Sequence, residues 1–315
     1  MHKVFKVNDF LKKETILITG GAGFIGSNIA KYFVIQNDYN VIIVDNLSTG
    51  NLNNIENLNL KFIECDILNK ENLEQIFLLN NIDFIIHQAA QSSVDKSLSN
   101  PSFNGEENII GTINLLELSV KYKVKKFIFA SSASVYGIPL YLPIDENHPL
   151  NPVSFYGLSK QNAESYIKLF NKLFGLNFII LRYSNVYGEK DFFGENETNV
   201  ISIFCKNILN NKDVVIYGNG YQTRDFVFVE DIAIANYLSL KNDIKNEIFN
   251  VGSGEKTSVI EICEILSKLL KKNINIIYKD CKIGDINHSY FNINKIKRLL
   301  KWEPIIKKLT YFTSS

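Results

Sequence analysis

The sequence predicts an α/β protein, a doubly wound parallel sheet followed by a smaller α/β domain that binds substrate. Three observations lead there. Short apolar runs recur from the start of the chain, at Thr15 to Thr19, Val41 to Val44, Lys61 to Glu64, Phe84 to His87, Phe127 to Ala130 and Phe178 to Arg182. These runs are continuously apolar rather than alternating, the pattern of strands covered on both faces. Amphipathic stretches fill the gaps, among them Ile25 to Gln36, Asn108 to Lys121 and Lys160 to Phe174, so right-handed helical crossovers join the strands.

The alternation lasts to Arg182. Residues 1–182 are therefore expected to form the larger domain, with 1–13 an N-terminal extension. Residues 183–315 are expected mainly in the smaller one, with some segments returning to the sheet. Beyond Arg182 the spacing loosens into a Gly- and Asn-rich loop, Gly188 to Asn199, then a helix, the strand-like Val214 to Tyr217 and the turn Gly218-Asn219-Gly220.

Composition narrows the function classes. With 315 residues, 46% hydrophobic and 21% charged, the chain has ample material for a globular core. Its 34 basic and 33 acidic residues leave a net charge of +1, so no global field draws it to nucleic acid or an anionic membrane. Cys65, Cys205, Cys263 and Cys281 lack the paired spacing of zinc or redox motifs, so reduced thiols and no metal are expected. Met1 to Lys13 has no long apolar region of the signal-peptide kind, and no apolar run approaches the ~20 residues of a membrane span. The expected location is the cytoplasm.

Directly after the first run comes Thr19-Gly20-Gly21-Ala22-Gly23-Phe24-Ile25-Gly26, then a helix-like stretch. Gly20 permits a tight turn, Gly23 lets backbone N–H groups approach a diphosphate, and Gly26 lets helix and strand pack closely, the Rossmann dinucleotide pattern. The diphosphate then sits on a helix N-terminus. The second run ends at Asp45, about 20 residues beyond the motif, where a carboxylate bonds the ribose hydroxyls and repels a 2′-phosphate, favouring NAD over NADP. Asp66, after the third run, is placed to meet the adenine amino group. The expected cofactor contacts here are Gly20, Gly23, Phe24, Ile25, Gly26, Asp45, Asn46, Asp66 and Ile67.

Further on, Ser131-Ser132-Ala133-Ser134 follows the fifth run, and Tyr156-Gly157-Leu158-Ser159-Lys160 opens a helix. Spacing of four puts Tyr156 and Lys160 on one helix face. A nearby ammonium favours the phenolate, drawing the tyrosine toward the range of a general base.

From the Gly20 motif to Trp302-Glu303-Pro304 the chain resembles the extended short-chain dehydrogenase/reductase family, specifically its UDP-sugar 4-epimerases. The resemblance implies that Tyr156 is the catalytic base, Lys160 its helper on the nicotinamide ribose, and Ser132 a hydroxyl that donates to the sugar O4 as charge develops. It adds Ala89 and Ala90, in His87-Gln88-Ala89-Ala90, and Asn108 to the cofactor contacts. It places Ser93, Ser132, Ser134, Asn185, Asn199, Tyr217, Arg224, Lys282, Asp285 and Ser289 on the nucleotide sugar. Arg224 would grip the diphosphate, although spacing alone favours a salt bridge with Asp225 or another nearby carboxylate. Lys282 stands where the family carries Arg, keeping charge but losing the planar fork.

The resemblance also shapes the expected reaction. Related 4,6-dehydratases carry an acid pair where Ala133 and Ser134 stand, and related decarboxylases carry a glutamate at Ser134, so both reactions are disfavoured. Ser289 falls where a bulky tyrosine would exclude an N-acetyl group, and nearby Phe291 could reclaim that space. The expected activity is NAD-dependent 4-epimerisation of UDP-N-acetylglucosamine and UDP-N-acetylgalactosamine, of UDP-glucose and UDP-galactose, or of both pairs. The alternatives are a uronic acid 4-epimerase, a reductase or dehydratase of the same fold, and a non-catalytic NAD-binding regulator. Homodimers are common in the resembling family. Its members usually continue into a final helix, whereas this chain stops at Ser315.

Overall fold

The computed structural model describes residues 13–188, 199–281 and 286–306. The first half runs β1 (Thr15–Thr19), α1 (Phe24–Gln36), β2 (Asn40–Asp45), β3 (Lys61–Glu64), α2 (Lys70–Leu79), β4 (Phe84–His87), α3 (Val94–Ser99), α4 (Pro101–Gly105), α5 (Gly111–Lys121), β5 (Lys126–Ser132), α6 (Phe155–Phe174) and β6 (Phe178–Tyr183). There follow β7 (Asn185–Tyr187), α7 (Val200–Leu209), β8 (Val214–Tyr217), β9 (Thr223–Arg224) and β10 (Phe226–Phe228). The chain continues through α8 (Val229–Lys241), β11 (Glu247–Val251), β12 (Thr257–Ser258), α9 (Val259–Leu270), β13 (Ile276–Lys279) and α10 (Asn294–Leu300).

Seven strands form one sheet in the order β11-β6-β5-β4-β1-β2-β3, every pair parallel. The Rossmann-like fold expected from the apolar runs is thus present. Along each strand the side chains divide between two cores: Ile16, Ile18 and Ile43 pack beneath α1 and α8, while Leu17, Ile42 and Ile85 face the layer of α2, α5 and α6. β11, from late in the chain, joins the edge beside β6 in the register Phe249↔Leu181.

The winding direction reverses between β1 and β4, and a crevice outside the carboxyl ends of strands at such a reversal is where ligands bind in open α/β sheets. Pairing aligns those ends, with Thr19 opposite His87 and Ser132 opposite Tyr183. The remaining described strands form three two-stranded pairs, β7 with β10, β8 with β13 and β9 with β12, around a third core that includes Tyr187, Phe204, Ile216 and Ile262.

α6 starts at Phe155, one residue before the Tyr156 at which the sequence opens a helix, because Ser154 caps it by accepting from the Gly157 N–H at 3.1 Å. One helix differs from expectation. The stretch 108–121 does not begin as an α-helix: Glu106–Ile110 is a π-helical turn between α4 and α5. This widened turn carries Asn108, 2% exposed, whose amide group bonds the Gln91 backbone and the Ser159 hydroxyl of α6. Among the described residues no helix is long and apolar enough to cross a membrane.

Candidate active site

The glycine turn is built by close approach. Gly20 has φ +64, and a Cβ there would lie 2.6 Å from the Ala89 nitrogen; at Gly26 a Cβ would lie 2.1 Å from the Gly20 carbonyl oxygen. The turn therefore presses on α1 and on the segment leaving β4 that contains Ala89 and Ala90. Gly23 caps α1, and Phe24, Ile25 and Gly26 form its first turn, which holds no acidic side chain. Its positive end is available to an anion.

Asp45 closes the far side. Its Oδ2 accepts from the Ala22 N–H at 3.0 Å and its Oδ1 from the Leu47 N–H at 2.8 Å, leaving each oxygen a second lone pair. Asn46 donates to Asp66 Oδ2 at 3.0 Å, joining the ends of β2 and β3, and Asp66 Oδ1 accepts from the Leu68 N–H. Ile67 is buried against Gly111. The cradle that a Cβ would fill, the helix end and the carboxylate together fit a dinucleotide.

His87, at the end of β4, is fully buried, and burial pushes its imidazole down to about 3. Thr112 donates to the Asn108 carbonyl, so its hydroxyl accepts from His87 Nε2–H, and His87 Nδ1 accepts from Thr19. Asn108 accepts from the Gln91 N–H at 2.8 Å and donates to the Gln91 carbonyl and to Ser159 Oγ, which in turn donates to the Tyr156 carbonyl. Asn108 thus holds the turn after β4 onto α6.

Ser132, Tyr156 and Lys160 come together from the end of β5 and the first turns of α6. Lys160 is 3% exposed; its Nζ donates to the Ala130 carbonyl at 2.9 Å and lies 6.0 Å from the centre of the Tyr156 ring and 4.9 Å from that of Phe129. Burial pushes Lys160 down to about 7, with Glu164 pulling it up. Tyr156 differs from the sequence expectation: burial raises its phenol above the ordinary value, and the hydrogen bond with Ser132 is what pulls it down. Desolvation of the phenolate is the larger of the two effects. Ser132 Oγ also bonds the Ser134 hydroxyl and the Ser134 N–H, both at 3.2 Å.

The substrate-half residues are distributed as follows. Ser93 caps α3 by accepting from the Lys96 N–H. Asn185 is exposed and donates to the Asp225 carbonyl, while Asn199 caps α7 and donates to the Val186 carbonyl. Tyr217 ends β8, 39% exposed. Arg224 is half-buried and donates to the Thr223 carbonyl at 3.0 Å. The Asp225 carboxylate accepts from Ser184, Ser253, and the Gly254 and Phe291 N–H groups. Ser289 is half-buried, its N–H donating to the Thr223 carbonyl at 3.1 Å beside Arg224. Phe291 turns inward, 2% exposed against Tyr136. Lys282 and Asp285 lie outside the described residues.

Sequence reasoning missed a buried group beside this site. Glu164, one turn beyond Lys160, pairs bidentately with Arg182 at 2.9 and 2.6 Å. Its signal was a lone carboxylate on the apolar side of α6 at the spacing of Tyr156 and Lys160. Among the described residues no group of His, Cys, Asp and Glu could hold a metal ion.

A glycine-lined turn and a buried aspartate at the end of β2 on a doubly wound sheet, with a Ser, Tyr and Lys brought together at the same end, define a dinucleotide-dependent enzyme. The chain belongs to the NAD dependent epimerase/dehydratase family, whose family model matches residues 16–252. A Methanocaldococcus jannaschii protein named provisionally as a UDP-glucose 4-epimerase is 48% identical over 292 residues, 92% of this chain and 93% of that relative. Among solved structures, the UDP-glucose 4-epimerase of Thermotoga maritima with UDP-glucose superposes with a TM-score of 0.90 at 38% identity, covering 95% of this chain and 96% of that one. The UDP-N-acetylglucosamine 4-epimerase of Methanobrevibacter ruminantium M1, in complex with UDP-N-acetylmuramic acid, gives 0.88 at 36% identity, covering 95% and 94%.

Proposed function

We propose that this protein is an NAD-dependent UDP-sugar 4-epimerase that accepts both plain UDP-hexoses and their N-acetylated forms. The observation that carries the reading is the meeting of Ser132, Tyr156 and Lys160 at the carboxyl end of the sheet, next to the glycine turn, with Ala133 and Ser134 where a dehydratase would need acids. The names borne by its relatives support the same class.

NAD would be held by the glycine turn, the start of α1, Asp45 and Lys160. The chemistry it supplies when bound is a reversible two-electron oxidation of carbon 4 to a ketone. Tyr156 takes the proton of the sugar O4 and later returns it. Ser132 donates a hydrogen bond to the same oxygen while charge builds there, and its bonds to Ser134 fix the hydroxyl before substrate arrives. Lys160, 6.0 Å from the Tyr156 ring, favours the phenolate in its protonated form, and the Ser132 hydrogen bond pulls in the same direction against burial. Arg224, Asn185 and Tyr217 would anchor the nucleotide diphosphate while the ketone turns its other face.

Ser289 supports acceptance of an N-acetyl group. Its side chain is small, its backbone is pinned beside β9, and Phe291 packs in the core against Tyr136. A UDP-hexose deuterated at carbon 4 tests the reaction: the epimer is expected to retain the label, whereas exchange for solvent hydrogen would mean a different bond is broken.

A further inference from the structure

Three segments carry the proposed catalytic groups: the end of β5 with Ser132, the turn at Ala133–Val135 with Ser134, and α6 with Tyr156 and Lys160. All three converge on one ion pair. Arg182 Nε and Nη2 donate to the two oxygens of Glu164, and the pair is buried, at 2% and 0% exposure. Ser131, the residue before Ser132, donates to Glu164 Oε1 at 2.6 Å. Tyr136, which follows the Ser134 turn, accepts from Arg182 Nη1 at 2.9 Å, lies under the guanidinium at 4.9 Å and donates to Asn250 at 2.6 Å. Strand pairing puts Arg182 opposite Ser131.

We propose that Glu164 and Arg182 are positioning residues that set the geometry of Ser132, Tyr156 and Lys160 without touching substrate. The proposal rests on the epimerase reading of the site. Its physical basis is that a buried ion pair contributes little net stability, because desolvation offsets the attraction, and apolar residues of similar volume often serve folding as well. What apolar residues do not supply is direction. A planar fork on a carboxylate fixes angle as well as distance, and here it fixes α6 one turn beyond Lys160. The charges around the site are few. Lys160 is faced by His87 from β4 and by Tyr156 and Glu164 on its own helix, and Glu164 by Arg182 and, at 3.7 Å, by half-exposed Lys168.

The test uses the NAD-loaded protein with the double variant Glu164→Leu/Arg182→Met, which removes both charges and leaves neither unpaired. Thermal unfolding is expected within a few degrees of the parent. Turnover is expected to fall on the order of 10²-fold at little-changed KM, since small misplacements of reacting groups have that effect. Titration of Tyr156, read as tyrosinate absorbance against Tyr156→Phe in the same background, is expected to move up by about one pH unit as Lys160 drifts away. Parental kcat together with a parental titration would overturn the proposal. Arg182→Lys, which keeps the charge and loses the fork, serves if the double variant does not fold: it is expected to lower kcat in the same way, and undiminished kcat there also overturns the proposal. The titration needs no sugar, so a parent protein that epimerises nothing would fail the epimerase reading while leaving the positioning role decided on the titration.

Discussion

Lys160 is held in its site against its own solvation, and this makes a quantitative prediction about stability. Its amine, buried under Phe129 and bonded to the Ala130 carbonyl, is pushed from its ordinary 10.5 down to about 7. Between those values the unfolded chain holds a proton that the folded protein lacks, so wild-type stability climbs as pH rises through this window and is flat in this group below it. At about 1.4 kcal/mol per pH unit, the burial penalty below pH 7 reaches roughly 5 kcal/mol at most. Lys160→Met removes it and gives up one hydrogen bond worth about 1 kcal/mol. The cofactor-free variant is therefore expected to be more stable than wild type by ~2 to ~4 kcal/mol at pH 6, with the gain vanishing toward pH 10.5 and epimerisation lost throughout. Urea unfolding of both proteins across that range measures it. A variant less stable at every pH, or a difference that does not change with pH, would refute the reasoning.

Tyr156→Phe is expected to remove most turnover while bound NAD is retained, since the phenol oxygen is the proton acceptor; near-normal rates would exclude that role. Ser132→Ala is expected to lower kcat by ~10- to ~1,000-fold, the effect of losing one positioned donor, and an unchanged kcat would take Ser132 out of the site. Asp45 is expected to favour NAD over NADP by at least ~10-fold, about 1.4 kcal/mol, in calorimetry on stripped protein, and equal binding would contradict its role. Ser289→Tyr is expected to suppress the N-acetylated pair while sparing plain hexoses, because a steric block acts on the larger substituent. Equal loss of both would remove Ser289 from the specificity pocket.

The large sheet was legible because its inner strands are buried on both faces, so that β1 and β4 match their apolar runs to the residue, as does the more exposed edge strand β3. β11 was not, since buried Asn250 interrupts its apolar pattern, and β7, β9 and β12 are too short for any period to show. Tyr156 and Lys160 were legible because helix periodicity alone puts them on one face. The balance of forces on them was not. Proximity to a lysine suggested a lowered phenol, whereas burial, which depends on the whole packed core, dominates Tyr156. Glu164 and Arg182 stand on separate elements, and the five donor bonds that converge on Asp225 come from three segments; no local pattern encodes such meetings.

The most direct test is turnover by the purified protein with no NAD or NADPH added. UDP-glucose, UDP-galactose and their N-acetylated counterparts would each be incubated separately and the products resolved by chromatography. The account predicts that each sugar is converted to its 4-epimer through many turnovers, because the oxidised carbon is reduced again in the same site and no cofactor is consumed. No conversion of any of the four, or conversion only in step with added NADPH, would contradict it.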